Sequence, residues 1–323
     1  MKILYLPINT NEIIQTGMYD AFTNLKINFE VFDFFKMYLN RVTVSNIRSA
    51  LIEKALKFLP DYIHMQLQFT NIIDANTVKS IKKHIPHVII SNWTGDIRNY
   101  VPREFVEISN VVDYSLISSV GQIELYKGAG CKNIKYWQIG YNPKIHFPKY
   151  KNSFEFYVSF IAAHYKTTEN FPGTQIRLEA AYKLREKFGT KFGLFGPNYP
   201  PGLKSSGFIR QSQVNDIYNN SACVLSINNF NNVNYYFSDR LLHCLASGRP
   251  TISYYFPGIN DYFVHNRDVL IASNICDIVN YVESCNNKDS ANSIGNNGYK
   301  RVNAEHTYTS RVLELINILS GNE

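Results

Sequence analysis

The sequence of 323 residues contains no long apolar segment, no closely spaced cysteine pair and no strong excess of charge. No apolar run approaches the ~20 residues that a membrane-spanning helix needs. The five cysteines are scattered and form no C-x-x-C pair, which argues against zinc or redox sites of that kind and favours reduced thiols. Neither a Walker A loop nor a serine-hydrolase elbow is present. We therefore expect a cytoplasmic protein, or a nuclear one in a eukaryotic host.

The composition favours two folded domains. Hydrophobic residues make up 45% of the chain and charged residues only 18%, which excludes disorder at this length. The net charge of +7 is mild and far from that of a polybasic nucleic-acid tail. Residues 1–150 carry 17 basic and 12 acidic side chains, so most of the surplus lies in the first half. A polyanionic partner would have to bind there.

Short apolar runs alternate with amphipathic helical patterns, which is typical of parallel sheets built from βαβ units. In the first half, strands are predicted at 2–8, 27–34, 62–67, 87–91, 111–118 and 134–139, and helices at about 14–25, 45–58, 74–84 and 119–128. In the second half, strands are predicted at 154–162, 191–195, 222–227, 250–254 and 269–272, and helices at 174–188, 213–220, 238–247, 275–284, 290–305 and 307–319. The pattern predicts two α/β domains of similar size.

Turn-forming residues without a periodic apolar face occupy residues 140–153, which favours a linker there. We therefore place a first domain at 1–150 and a second at 151–305. Two Rossmann-like domains that face each other leave a cleft at the carboxyl ends of both sheets, where ligands of such sheets bind. The loops after the strands are the expected location of the chemistry.

The segment 236–253 is the richest in candidate residues. Ser238 or Asp239 suits an N-cap, and Gly248 ends the predicted helix before a strand. The first turn of such a helix presents free N–H groups, and Arg240 adds a cation, so the pattern favours an anion site. An ordinarily capped core helix with a surface arginine would give the same pattern.

Four motifs in the second half occur in a recognisable order: Ser-Asp-Arg-Leu at 238–241, Ala-Ser-Gly-Arg-Pro at 246–250, Phe-Pro-Gly-Ile-Asn-Asp-Tyr-Phe at 256–263 and His-Thr-Tyr-Thr-Ser-Arg at 306–311. This arrangement resembles the C-terminal domain of GT-B glycosyltransferases, in particular the spore-maturation-type branch of the family-1-like nucleotide-sugar enzymes. The resemblance covers residues ~154–319 well and the first half more loosely. It implies an α/β fold of two Rossmann-like domains facing across a cleft, with the segment 306–323 crossing back to the first domain.

The resemblance also implies where the donor binds. The helix that starts at Ser238 would face the nucleotide-sugar diphosphate, and the loop at 160–165 would approach it. Arg177 would supply a neutralising charge, although an arginine at that position of a helix is commonly solvated. Many members carry a glutamate on the nucleotide ribose where this chain has His243, which leaves the identity of the donor open. The donor-binding candidates are His164, Arg177, Gly196, Ser238, Asp239, Arg240 and His243.

In the first half, the loop after the strand at 87–91 carries the candidates for catalysis and acceptor binding. Asp96 would take the proton of an attacking hydroxyl, and its alternative role is that of a turn or N-cap residue. Asp113 is the rival carboxylate. Trp93 suits stacking on a sugar ring, and Arg98 suits contact with an acceptor phosphate. Gly17 matches the glycine-containing loop that lies beside the acceptor in the family, a weak indication.

The sequence thus predicts a glycosyltransferase that moves a sugar from a nucleotide-diphosphate donor, most simply a UDP-sugar, to a hydroxyl acceptor. No D-x-D motif occurs, so we expect no metal or other cofactor, with inversion if Asp96 is the base. A glycan is the first acceptor class, and hydroxymethylated DNA is the second, with Lys82, Lys83 and Arg103 beside Arg98 as phosphate contacts. A sugar-nucleotide epimerase and a non-catalytic nucleotide-binding protein are the alternatives. The oligomeric state is left open.

Overall fold

The computed structural model describes residues 1–10, 14–68, 70–149, 151, 153–165, 171–285 and 288–321. These residues divide into two compact units, Met1–Ile139 together with the chain from Tyr308 onward, and Gly140–Thr307. Each unit contains one parallel sheet with helices packed on it. The predicted α/β fold with two Rossmann-like domains is therefore confirmed.

The sheet of the first unit has six parallel strands in the order β2-β1-β3-β4-β5-β6. They are β1 (Lys2–Leu6), β2 (Asn28–Val31), β3 (Tyr62–Met65), β4 (Ile89–Thr94), β5 (Tyr114–Ile117) and β6 (Ile134–Tyr136). The helices of this unit are α1 (Thr16–Asn24), α2 (Phe34–Leu39), α3 (Val44–Phe58), α4 (Ala75–His84), α5 (Arg103–Ser109), α6 (Ile123–Gly128) and, at the end of the chain, α13 (Tyr308–Leu319).

Side chains along β1 alternate between the two faces of the first sheet, as the period of a strand requires. Ile3 and Tyr5 point into a core that includes Trp137 and the buried side of α13. Leu4 and Leu6 point into the opposite core, which is formed with α3 and α4. The sheet is therefore covered on both faces, which accounts for the apolar character of its strands.

The second unit has five parallel strands in the order β11-β10-β9-β7-β8. They are β7 (Phe156–Ile161), β8 (Phe192–Phe195), β9 (Ser221–Ser226), β10 (Thr251–Tyr254) and β11 (Leu270–Ala272). The helices are α7 (Gly173–Phe188), α8 (Gln211–Asn219), α9 (Asp239–Ala246), α10 (Ile259–Tyr262), α11 (Ile275–Cys285) and α12 (Lys288–Glu305).

The boundary between the two units lies between residues 139 and 140, about ten residues before the predicted domain boundary. The segment 142–149 belongs to the second unit because its backbone is hydrogen-bonded to that unit. Asn215 of α8 accepts from the N–H of Phe147 at 3.3 Å, and Arg249 donates to the carbonyl of Lys149 at 2.8 Å. Residues 150 and 152 of the predicted linker lie outside the described residues.

The chain from Tyr308 onward belongs to the first unit because α13 packs against α1. The indole N–H of Trp137 donates to the carbonyl of Arg311 at 2.9 Å, and the Arg311 guanidinium donates to the carbonyl of Ile139 at 3.1 Å. None of the helices in the described part of the chain is long and apolar enough to cross a membrane.

Candidate functional site

In the second unit, β7 and β9 are neighbouring parallel strands, so both strands end at the same edge of the sheet. Such an edge is where ligands of open parallel sheets bind. The loop after β7 carries His164, and the loop after β9 leads through Asn228 to α9. The helices α7 and α9 both begin close to this edge, since the N–H of Gly173 donates to the carbonyl of Asn229 at 2.6 Å.

Arg177 lies one turn into α7 and is almost completely buried, with 1% of its surface exposed. Its guanidinium donates twice to the carbonyl of Ile227, at 2.9 and 2.7 Å, and once to the carbonyl of Ala163 at 3.3 Å. Burial, and after it the nearby charge of Arg240, lowers the pKa of Arg177 from 12.5 to about 9. This arginine is not the solvated helix residue that the sequence left as an alternative.

Arg240 in the first turn of α9 meets the same edge of the sheet. Its Nε donates to the carbonyl of Ile161 at 2.5 Å, and its Nη1 lies 3.3 Å from the carbonyl of Ile227. Among the described residues, no carboxylate forms an ion pair with Arg177 or Arg240. Two neighbouring guanidinium groups bound only to neutral acceptors form a positively charged centre that can bind a polyanion such as a diphosphate.

The start of α9 adds to this centre. Ser238 occupies the N-cap position with extended backbone, and its side chain makes no capping hydrogen bond. The N–H of Ser238 is instead bound by the side chain of Asn228 at 3.2 Å. Asp239 is exposed in the first turn. Because its first turn is not capped by a side chain, α9 offers backbone N–H groups beside Arg240.

His164 and Gly196 also lie at the carboxyl ends of the strands of the second unit. The N–H of His164 donates to the carbonyl of Pro197 at 3.1 Å, and the ring stacks on Tyr199 at 5.5 Å. Burial, and then the charge of Arg177, lowers the pKa of His164. Gly196 has a φ of +131°, and a Cβ there would overlap the carbonyl of Ala162, so the close approach of the two strand ends requires glycine.

His243 is half-buried and lies one turn beyond Arg240 on α9. Its ring stacks face to face on the ring of His146, with 3.8 Å between the centroids and 16° between the planes. Burial, and then the charge of Arg240, lowers the pKa of His243 to about 3. His146 was not predicted as a site residue because it lies in the segment interpreted as a linker, and a single histidine in a turn-rich segment is no indication of a site.

The catalytic and acceptor-binding candidates of the first unit lie at different places in its fold. Asp96 is exposed, two residues after the end of β4, and its carbonyl accepts from the hydroxyl of Thr94 at 3.2 Å. Trp93 is a core residue, 4% exposed, whose indole N–H donates to the carbonyl of Trp137 at 3.0 Å. Its burial gives it no open face for stacking on a sugar. Asp113, the rival carboxylate, binds Lys82 and the N–H of Ile90 and is a structural residue.

Gly17 and Arg98 have structural surroundings as well. Gly17 is buried in α1 beneath the ring of Tyr308, where a Cβ would overlap that ring. Arg98 is half-buried, and its carbonyl accepts from the side chain of Gln122 at 2.6 Å. Of the cations proposed to track phosphates with it, Lys82 pairs with Asp113 and Arg103 pairs with Glu107, both at 2.7 Å.

The structure thus brings the donor-binding candidates together in the second unit. All of them lie within that unit, namely His164, Arg177, Gly196, Ser238, Asp239, Arg240 and His243. Asp96, Trp93, Arg98 and Gly17 belong to the first unit. In the described part of the chain, no three His, Cys, Asp or Glu side chains are grouped as metal ligands.

Comparisons with known proteins bear on the family and the fold of the chain. Residues 177–317 match a family model described as glycosyl transferase-like. No functionally curated protein is detectably similar to the chain in sequence. Similar solved structures include HepE from Anabaena in complex with UDP-glucose, at 13% identity and a TM-score of 0.65, covering 99% of this chain and 100% of that one.

Two further structures are similar over nearly the whole chain. Sucrose-phosphate synthase from Thermosynechococcus elongatus has 10% identity and a TM-score of 0.64, covering 99% of this chain and 98% of that one. A variant of BGT from T4 phage in complex with UDP-glucose has 11% identity and a TM-score of 0.59, covering 99% of each chain. At these identities the likeness establishes the fold, which is GT-B.

Proposed function

We propose that the chain, a glycosyltransferase of the GT-B type, transfers a sugar from a UDP-sugar to a hydroxyl acceptor. The observation that carries the proposal is the arginine pair Arg177 and Arg240, which has no ion-paired carboxylate among the described residues. UDP-glucose is the first donor to test, because HepE and BGT, two of the similar structures, are complexes with it.

The arginine pair would stabilise the diphosphate as it leaves. When the bond between the anomeric carbon and the diphosphate oxygen breaks, negative charge develops on that oxygen. In this proposal Arg240 and the free N–H groups at the start of α9 bind this charge, and the buried Arg177 adds the field of its own positive charge. A site that supplies positive charge in this way has no need of a divalent ion, so we propose a metal-independent reaction.

Asp96 is the residue that we propose as the general base. It is an exposed carboxylate directly after β4, at the carboxyl edge of the first sheet. In the proposed reaction the acceptor hydroxyl gives its proton to Asp96 while its oxygen bonds to the anomeric carbon and UDP departs. This single displacement inverts the configuration of that carbon.

A glycan or another sugar is the acceptor class that we propose first. Hydroxymethylated DNA is supported only by the surplus of positive charge in residues 1–150. Two of the four cations singled out for phosphate contact, Lys82 and Arg103, are engaged in ion pairs, which weakens the case for DNA. A cytoplasmic location remains a proposal, supported by five free cysteines.

The experiment that tests the donor proposal is a thermal-shift panel of UDP, GDP, ADP and their glucose conjugates, followed by an assay of UDP release. We expect stabilisation by UDP and UDP-glucose above that by the other nucleotides, and UDP release that rises when acceptor is added. Binding without any turnover of a donor would favour the non-catalytic alternative, and conversion of the sugar while it stays attached to UDP would favour the epimerase. The absence of binding by any nucleotide would contradict the proposal.

A further inference from the structure

His146 is buried without polar partners. Only 1% of its surface is exposed, and neither ring nitrogen has a hydrogen-bond partner among the described residues. A neutral imidazole carries one donor and one acceptor, and leaving both unsatisfied in the interior costs about 1–3 kcal/mol for each group. Since neither nitrogen is bound, the ring acts on its surroundings through its flat face and not through hydrogen bonds.

The backbone around His146 is held firmly. Its N–H donates to the carbonyl of Asn142 at 3.0 Å, within a turn in which the Asn142 side chain also binds the N–H of Lys144. On the other side, the carbonyl of Phe147 accepts from Asn219 at 3.1 Å. The ring of His146 is therefore placed by a segment that is fixed to α8.

Among the described residues, the one aromatic ring that stacks on His146 is that of the candidate donor residue His243, at 3.8 Å and nearly parallel. The His243 side chain is half-buried and no hydrogen bond joins its ring to a described residue, so its ring edge is available to a ligand. Residues three apart on a helix are neighbours on its surface, so His243 stands next to Arg240. A group bound by His243 would follow the diphosphate bound by Arg240, as the nucleoside of a UDP-sugar does.

Burial, more than the surrounding charges, keeps both rings neutral. Burial, and then His243, lowers the pKa of His146 to about 2, with a smaller opposing effect of Asp239. Arg240 is the charge that acts on His243. The elements packed against α9 and the His146 segment also carry titratable groups, but none of them is among the groups that shift either histidine. They are Asp216 and Tyr218 on α8, Cys223 on β9, Tyr254 on β10, and Tyr299, Lys300, Arg301 and Glu305 on α12. Each ring therefore keeps one donor nitrogen and one acceptor nitrogen.

We propose that His146 is a positioning residue whose ring stacks behind His243 and holds it in the orientation that contacts the nucleoside of the donor. This inference rests on the proposed function, since the ligand of His243 is the nucleotide of a UDP-sugar. Parallel stacking restricts the rotation of the His243 ring before the donor binds. Less conformational entropy is therefore lost when the ring contacts the nucleoside. The effect of His146 then appears in donor affinity and only through His243.

A double-mutant cycle with His146→Ala and His243→Ala tests this proposal, with the KM for UDP-glucose, kcat and the free energy of unfolding measured for each protein. We expect His146→Ala to raise KM about 5- to 10-fold with little change in kcat, and to have no further effect on KM when His243→Ala is present. His146→Phe preserves the flat face and should keep KM within about 2-fold of the wild type. If the two alanine effects on KM multiply, or if His146→Phe raises KM as much as His146→Ala, the proposal is overturned.

Two further measurements keep the test decisive if His146→Ala does not fold or no UDP-sugar binds. His146→Leu keeps the apolar volume without the flat face, so it replaces the alanine variant in the cycle. In the ligand-free protein, NMR should detect the ring-current shift that the His146 ring causes at the ring protons of His243; His146→Leu should remove this shift and His146→Phe should retain one. Unchanged shifts of the His243 ring protons in His146→Leu would overturn the pairing. Failure of every UDP-sugar to bind would instead contradict the proposed function.

Discussion

Arg177 and Arg240 donate hydrogen bonds to the same atom, the carbonyl oxygen of Ile227 at the end of β9. The two side chains come from different helices, α7 and α9, and meet at the end of β9. Like charges this close raise the free energy of the unliganded protein, and an anion bound by Arg240 in the field of the buried Arg177 would lower it. The arrangement is therefore expected to couple stability to anion binding.

Arg177→Gln should destabilise the protein by about 3 kcal/mol, because the carbonyls of Ile227 and Ala163 lose a charged donor in the interior. UDP should stabilise the variant much less than it stabilises the wild type. Chemical unfolding with and without UDP measures both effects. Lys183→Gln removes an exposed charge from the same helix and is the matched control, with unchanged stabilisation by UDP. Equal stabilisation of Arg177→Gln and the wild type by UDP would contradict the role of Arg177.

Asp96→Asn should abolish transfer while leaving donor binding intact. The amide cannot accept the proton of the acceptor hydroxyl, so kcat should fall by about 100-fold or more. Asp96 belongs to the first unit, whereas the donor candidates belong to the second, so the affinity for UDP should not change. Initial rates with UDP-glucose, together with calorimetry, separate the two quantities. Asp113→Asn is unsuitable as a control since Asp113 supports the sheet, and Glu53→Gln at an exposed position of α3 serves instead.

Gly17→Ala should destabilise the first unit by about 2 kcal/mol, because the new methyl group would overlap the ring of Tyr308. An alanine in a helix is otherwise favoured over glycine by up to about 1 kcal/mol. Gly128→Ala in α6, where nothing lies within 4 Å of the added Cβ, is the control and should leave the melting temperature unchanged or raise it. Similar melting temperatures for the two variants would contradict this expectation, since the Tyr308 ring would then move aside without loss of stability.

Acid should destabilise the protein below about pH 6.5. Burial lowers the pKa values of His64, His146 and His243 to about 3, 2 and 3. Each value is below that of an unfolded histidine, so between about pH 3 and 6.5 the unfolded chain binds more protons. The stability contributed by the neutral rings is complete above pH 6.5 and is lost as the pH falls, by about 1.4 kcal/mol per pH unit for each histidine.

Urea unfolding between pH 7.5 and 4.5 measures this slope. His146→Phe should reduce this slope by about 1.4 kcal/mol per pH unit, the contribution of one buried histidine. Equal slopes for the wild type and His146→Phe would contradict the burial of a neutral imidazole at position 146.

Most of the fold follows from local sequence patterns. The predicted bounds of the strands and long helices are close to the observed ones. In an apolar run such as 222–227 or a periodic helix such as 174–188, the apolar residues that form the sequence pattern are the residues that the fold buries. The short helices α2, α5 and α10 were missed. With four to seven residues, they are too brief to show a helical period.

The site was predictable only where a motif carried it. Arg177 and Arg240 follow from the resemblance to GT-B enzymes and from their place near the starts of predicted helices, but their common bond to Ile227 depends on tertiary contacts that no local pattern encodes. Trp93 shows the opposite case, since an aromatic residue in a loop-like motif proved to be buried in the core. His146 was missed because its significance lies in a stack with a residue 97 positions away in the chain.

Calorimetric binding of UDP and of uridine to the wild type and to Arg240→Gln tests the central claim most directly. The claim is that Arg240 binds the diphosphate of the donor and that the buried Arg177 adds its positive charge. The wild type should bind UDP much more tightly than uridine, and Arg240→Gln should reduce that preference by about 10-fold or more without changing the affinity for uridine. Equal affinities of the wild type for UDP and uridine, or an unchanged preference in Arg240→Gln, would contradict the account.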